Sequence, residues 1–147
     1  MPPGSRARAA APGAALLLAA ACVSTRTDGR VVLGDAAWPA GLAPSKCYSG
    51  ARESFHGVDL VDPSSHALLR VALDPILGPR LRLVEAAGGE QRVTILGPEE
   101  CAVLDVEVSP TAWRVNHVRD VSGHARFACR TAQGRALEAD LRFEHCH

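Results

Sequence analysis

The chain has 147 residues, room for one domain and a leader but not for two cores. Apolar residues make up 47% of it, which excludes disorder as the general state, yet aromatics are only 4%, so the core will be light and will gain from covalent staples. Charge is balanced at 16 basic and 16 acidic residues; loss of residues 1–21 removes Arg6 and Arg8 and leaves 14 against 16, a net of −2. That excludes a phosphate-backbone binder, and no nucleic-acid partner is expected.

The first element is a leader. Arg6 and Arg8 form a short positive region, and residues 9–21 form an apolar run of signal-peptide length, too short to span a bilayer as a helix. It ends in Leu18-Ala19-Ala20-Ala21-Cys22. Small residues directly before a cysteine resemble the lipobox of bacterial lipoproteins. The resemblance covers residues 6–22 and implies cleavage before Cys22, diacylglycerol on its thiol, and a bilayer as partner through the acylated cysteine. It departs from the pattern at Ala19, where the family has leucine, and Ala19-Ala20-Ala21 also fits ordinary signal cleavage. Val23 and Ser24 lack the aspartate that the family uses for inner-membrane retention, so the outer membrane is the expected destination.

Residues 22–45 are rich in Ala, Gly, Pro, Ser and Thr and read as a lipidated N-terminus and flexible tether, with Val31-Val32-Leu33 as one short strand that can dock. Whether Trp38 packs into the core is open. Residues 46–147 read as an all-β domain.

From Phe55 onward the hydrophobic period is two. Leu81 and Leu83 alternate with arginines, and Leu104, Val106 and Val108 alternate with Asp105 and Glu107. Leu137, Ala139, Leu141 and Phe143 alternate with Glu138, Asp140, Arg142 and Glu144. One apolar and one charged face is the pattern of a half-buried antiparallel strand. Eight strands are predicted near 54–61, 67–73, 80–86, 91–96, 101–108, 113–119, 124–131 and 136–144. Residues 66–74 also admit a short helix. The regular spacing predicts an antiparallel meander forming a small sandwich or barrel. Two three-residue loops, Ala87-Gly88-Gly89 and Ala132-Gln133-Gly134, set register. The first puts Leu83 opposite Val93 and Leu81 opposite Ile95; the second puts Cys129 opposite Leu137, Phe127 opposite Ala139 and Ala125 opposite Leu141. Val121-Ser122-Gly123 is a third candidate turn.

The C-terminal half, from Cys101 through Cys129 to Phe143-Glu144-His145-Cys146-His147, resembles small all-β envelope lipoproteins of high-GC Gram-negative bacteria. That likeness covers about 45 residues, rests on cysteine placement, and implies no catalytic residue.

With Cys22 assigned to lipid, Cys47, Cys101, Cys129 and Cys146 form an even set, which in an exported small domain means two disulfides. Cys129 faces residue 137, so Cys146 lies about 30 Å away along the strand, which disfavours their pairing. An up-and-down order of four strands after residue 100 brings Cys101 and Cys146 to one end, so Cys101–Cys146 with Cys47–Cys129 is the expected connectivity.

The competing chemistry is a metal site from His145 and His147, which flank Cys146, with His124 or His117 across the sheet. No CxxC or HxxxH spacing supports it, and no cofactor is expected. Ser64-Ser65 beside His66 lacks the Gly-x-Ser-x-Gly elbow of a hydrolase. Asp59, Asp62 and Asp74 lack a calcium-loop run, and Asp62-Pro63 and Asp74-Pro75 read as turn starters. Trp113 and Phe127 read as core anchors. The expected function is a non-catalytic envelope lipoprotein that binds a protein or supports structure, and no enzyme; the alternative is a metal- or small-molecule-binding barrel whose hollow interior is lined by His117 or His124.

Overall fold

A computed structural model describes residues 24–34, 41–87 and 89–147. Two short strands, β1 (Arg26–Asp28) and β2 (Val31–Leu33), come first. Five more follow: β3 (Lys46–Ser49), β4 (Gly57–Asp62), β5 (Ala67–Asp74), β6 (Gly78–Ala87) and β7 (Glu90–Leu96). The chain ends in three long strands, β8 (Cys101–Val115), β9 (Val118–Arg130) and β10 (Ala136–Cys146). Strands β3 to β7 form one sheet in chain order. In the other, β8, β9 and β10 are consecutive, and β1 and β2 both pair with the far edge of β10. Every pairing is antiparallel, and the sheets stack as a sandwich that does not close into a barrel. Residues 67–74 are strand, not helix.

Alternation decides what is inside. Leu137, Leu141 and Phe143 from β10, Ala125, Phe127 and Cys129 from β9, and Leu60, Leu69, Val71, Leu81 and Leu83 from the opposite sheet meet in one buried cluster. Phe127 is therefore the core anchor expected of it. Trp113 is not, at 58% exposure.

The second hairpin has the expected register: Leu137 faces Cys129, Ala139 faces Phe127 and Leu141 faces Ala125. The first is shifted by one residue. Ala87 pairs with Glu90, leaving a two-residue loop with Gly89 at φ 84°, so Leu81 faces Leu96 and Leu83 faces Thr94. Val93 and Ile95 consequently point outward, 44% and 64% exposed. On an edge strand the inner face needs only Thr94 and Leu96 to cover Leu83 and Leu81, so the apolar pattern of 93 and 95 does not control the pairing.

Val121-Ser122-Gly123 is no turn. β9 runs through it, and Gly123 is glycine because a Cβ there would collide with the Glu107 carbonyl oxygen and press on the Phe143 ring at 3.1 Å. A glycine within a strand marks close approach as readily as a turn. The reversal lies earlier, at Asn116 and His117, both left-handed (φ 50° and 67°) as a two-residue hairpin loop requires. The expected strands 101–108 and 113–119 are thus parts of one strand and its return.

Within the stretch expected as a tether, Val31-Val32-Leu33 docks as the short strand expected of it, and Arg26–Asp28 forms a further strand that was not expected. β1 and β2 pair with β10; Val31 and Leu42 exchange backbone hydrogen bonds at 2.8 Å and are buried in the core. Strands before residue 46 thus contribute to the sandwich.

The disulfides are Cys47–Cys146 and Cys101–Cys129. This overturns the expected Cys101–Cys146 and Cys47–Cys129, and the reason is strand parity. With three strands after residue 100 rather than four, the start of β8 and the end of β10 lie at opposite ends of the sheet. Bulges then aim the sulfurs. Odd-numbered residues of β10 face inward up to Phe143; the register slips before Cys146, and this even-numbered residue becomes fully buried against Cys47 of the other sheet. A second slip between Cys101 and Val103 turns Cys101 toward Cys129, directly opposite it.

Candidate functional site

The β10 bulge also builds a polar cluster. His145 sits in it with φ 56°, and its amide donates to Ser122 Oγ at 3.1 Å. While Cys146 turns inward, the His145 ring is left on the outer face, over β9. There it meets Asp120, which is 1% exposed. Asp120 Oδ2 accepts from Thr111 Oγ1 at 2.5 Å and lies 3.2 Å from His145 Nδ1. Asp120 Oδ1 is buried without a hydrogen-bond partner, with His147 Nδ1 at 3.8 Å.

The tautomers follow from the acceptors. His147 Nδ1 lies 2.9 Å from the His145 carbonyl oxygen, which can only accept, so Nδ1 carries the proton and Nε2 the lone pair when the ring is neutral. The carboxylate imposes the same choice on His145. Two imidazoles with Nδ1 held by an oxygen and Nε2 available is the arrangement that orients metal-binding histidines. The structure therefore brings His145 and His147 together, at 35% and 27% side-chain exposure. It does not bring His124 to them. His124 Nε2 is 3.5 Å from Asp105 and its Nδ1 3.9 Å from Glu107, on the β8 side. Among the described residues no group of three or more His, Cys, Asp or Glu is arranged to hold a metal ion.

Beyond the last rung of β10, where Cys146 pairs with Val121, β8 and β9 continue, without a further strand among the described residues, as a two-stranded arm ending at Asn116 and His117. Trp113, Arg114, His117 and Arg119 are exposed on it. Arg114 and Arg119 stand directly opposite each other.

A second polar site lies between the sheets. Glu85, fully buried on β6, accepts from Arg135 Nη1 and Nη2, both at 2.6 Å. Beside it is an open groove of about 710 Å³ lined by Gly34, Arg92, Thr94, Thr131, Gln133 and Arg135. Sequence reasoning missed this glutamate although a signal for it exists: Leu81, Leu83 and Glu85 share parity, which sends the glutamate inward. Asp120 and Thr111 had no such signal, because their meeting depends on the arm's register slip between Pro110 and Arg114.

The remaining candidates resolve simply. Cys22 and Trp38 lie outside the described residues. Asp62 and Asp74 start turns as expected: Asp62 Oδ1 accepts from the Ser64 amide and hydroxyl, and Asp74 Oδ1 from the amides of Ile76 and Leu77. Asp59 is half of a two-bonded pair with Arg70, which also reaches Glu53.

Comparison of the chain with protein-family models, with curated proteins and with solved structures finds no match to any of them.

Proposed function

We propose that this chain is an exported, lipid-anchored β-sandwich of the cell envelope, acting without catalysis as a binding or structural module. The observation that carries the reading is the cysteine inventory. Of five cysteines, four are consumed in two disulfides, which persist in oxidising compartments. The fifth is Cys22, directly behind Ala19-Ala20-Ala21 at the end of the apolar leader. The buried apolar cluster between the sheets supports a module that works through its surfaces. Expression in a Gram-negative host with labelled palmitate tests this: label on the wild-type chain and release of Cys22→Ala into the soluble fraction are expected. A full-length, unlabelled chain in the cytoplasm would overturn it.

A second reading is favoured by the two oriented imidazoles. It moves the metal alternative from a barrel interior, which this fold lacks, to the outer face at His145 and His147. Titration with Cu(II) or Zn(II) tests it: one equivalent bound, and affinity reduced about 10- to 100-fold in Asp120→Asn, is the expected result. Equal binding by a His145→Ala/His147→Ala chain would exclude it.

A further inference from the structure

We infer that the β8–β9 arm is a second membrane contact, with Trp113, Arg114 and Arg119 seated among anionic lipid headgroups beside the acyl anchor. This rests on the lipid-anchored reading of Cys22.

The topology puts the arm and the start of β1 at one end of the sandwich. β1 runs antiparallel to β10 with Arg26 opposite Glu144, so the chain enters at the end where β10 stops and the arm begins. Four residue steps separate Arg26 from Cys22, at most about 14 Å when fully extended. Arg26 is level with Ser122 of β9 to within a residue. From there Arg119 is three residues on, about 10 Å, and the tip at Asn116 and His117 lies about 7 Å further. A lipid held at Cys22 is therefore tethered within about 14 Å of Arg26, a reach comparable to the distance from that level to the arginine rung.

The arm's chemistry fits that surface. Arg114 and Arg119 are like charges directly opposite on neighbouring strands, an arrangement that disfavours pairing unless an anion sits between them. Neither is in an ion pair among the described residues. Trp113, the residue before Arg114 in β8, is 58% exposed on the same arm. An indole and two guanidiniums exposed on one narrow two-stranded arm suit the headgroup layer, where the ring has an apolar body and a polar N–H to place and the cations meet phosphate. An acidic protein would satisfy the arginines too, but it would not have to lie within the anchor's reach.

The test uses the acylated protein in phosphatidylglycerol–phosphatidylethanolamine vesicles, with Trp38→Phe so that Trp113 is the sole indole. Blue-shifted emission, shielded from aqueous iodide and quenched by bromine-labelled lipid, is expected. Arg114→Gln/Arg119→Gln should lower the docked-to-free ratio of the arm about 25-fold, some fivefold per arginine, and restore iodide quenching. Both residues are exposed, so the fold should survive, and an unchanged thermal midpoint verifies that. A floating, acylated protein whose Trp113 stays as open to iodide as in vesicle-free buffer overturns the inference. So does a double variant that docks as well as wild type. A chain whose Cys22 carries no acyl group fails the anchor reading instead, and mass spectrometry of the same sample distinguishes the two.

Discussion

Glu85 and Arg135 stand 50 residues apart in the chain and meet between the sheets through two hydrogen bonds of 2.6 Å each. The glutamate has no exposed surface and the arginine side chain keeps 11%. Such a pair is costly to break because the surviving charge is left in a low-dielectric interior. Glu85→Gln or Arg135→Met should each lower stability in urea unfolding by about 3–5 kcal/mol, and the double replacement by leucine should recover most of it. Single losses near the 0.5 kcal/mol of a surface substitution would show that the pair is hydrated.

The two disulfides should differ in weight. Cys47–Cys146 spans 99 residues of sequence and joins the sheets, whereas Cys101–Cys129 spans 28 within one sheet. Loop closure alone assigns them about 4.7 and about 3.6 kcal/mol. Cys47→Ala/Cys146→Ala is therefore expected to be the less stable double variant, in a core short of aromatics. Non-reducing proteolysis and mass spectrometry should recover the 47–146 and 101–129 cross-linked peptides; a 101–146 link would contradict the three-strand order.

The register of the first hairpin has its own signature. Ile95→Lys, on the outer face, should change stability by no more than about 0.5 kcal/mol. Leu81→Ala, on the inner face, should cost about 2–5 kcal/mol. Were Leu81 opposite Ile95 in the core, both changes would be severe, so chemical denaturation of the two variants separates the registers.

Acid should weaken the protein through Asp62. Burial alone would raise its pKa, but hydrogen bonds from the Ser64 hydroxyl and the amides of Ala43 and Ser64 outweigh it and hold the group below the ordinary 3.8. The folded value lies under the unfolded one, so the unfolded chain takes up the proton first. The stabilisation is complete above pH 3.8 and is lost as pH falls through the lower folded value. In a series of thermal midpoints, wild type should fall more steeply than Asp62→Asn below about pH 4. Parallel curves would remove Asp62 from the acid transition.

Along the chain, what is legible is whatever repeats locally. Leu137 to Phe143 alternates for four rungs, and Ala132-Gln133-Gly134 closes with Gly134 at φ 82°, so the residues themselves spell out that hairpin's register. Gly123 and Asn116-His117 mislead for one shared reason. Glycine is the stronger turn signal by composition, yet at 123 it answers to the Glu107 backbone pressing on it from the neighbouring strand. That single exchange changes the strand count, and the count reverses the cysteine pairing.

The sequence by itself determined that this chain is built of antiparallel strands with an apolar face, that four of its cysteines would pair, and that aspartates at 62 and 74 would start turns. These follow from residue chemistry acting over two to four positions. Tertiary structure alone decided which cysteines meet, that residues 26–28 join the sandwich, and that Asp120 lies beneath His145. Each of those depends on a bulge that shifts parity by one residue, or on an edge that only the folded sheet presents. A period of two carries no information about where it will be broken, because the break is set by what the strand must reach across the sheet.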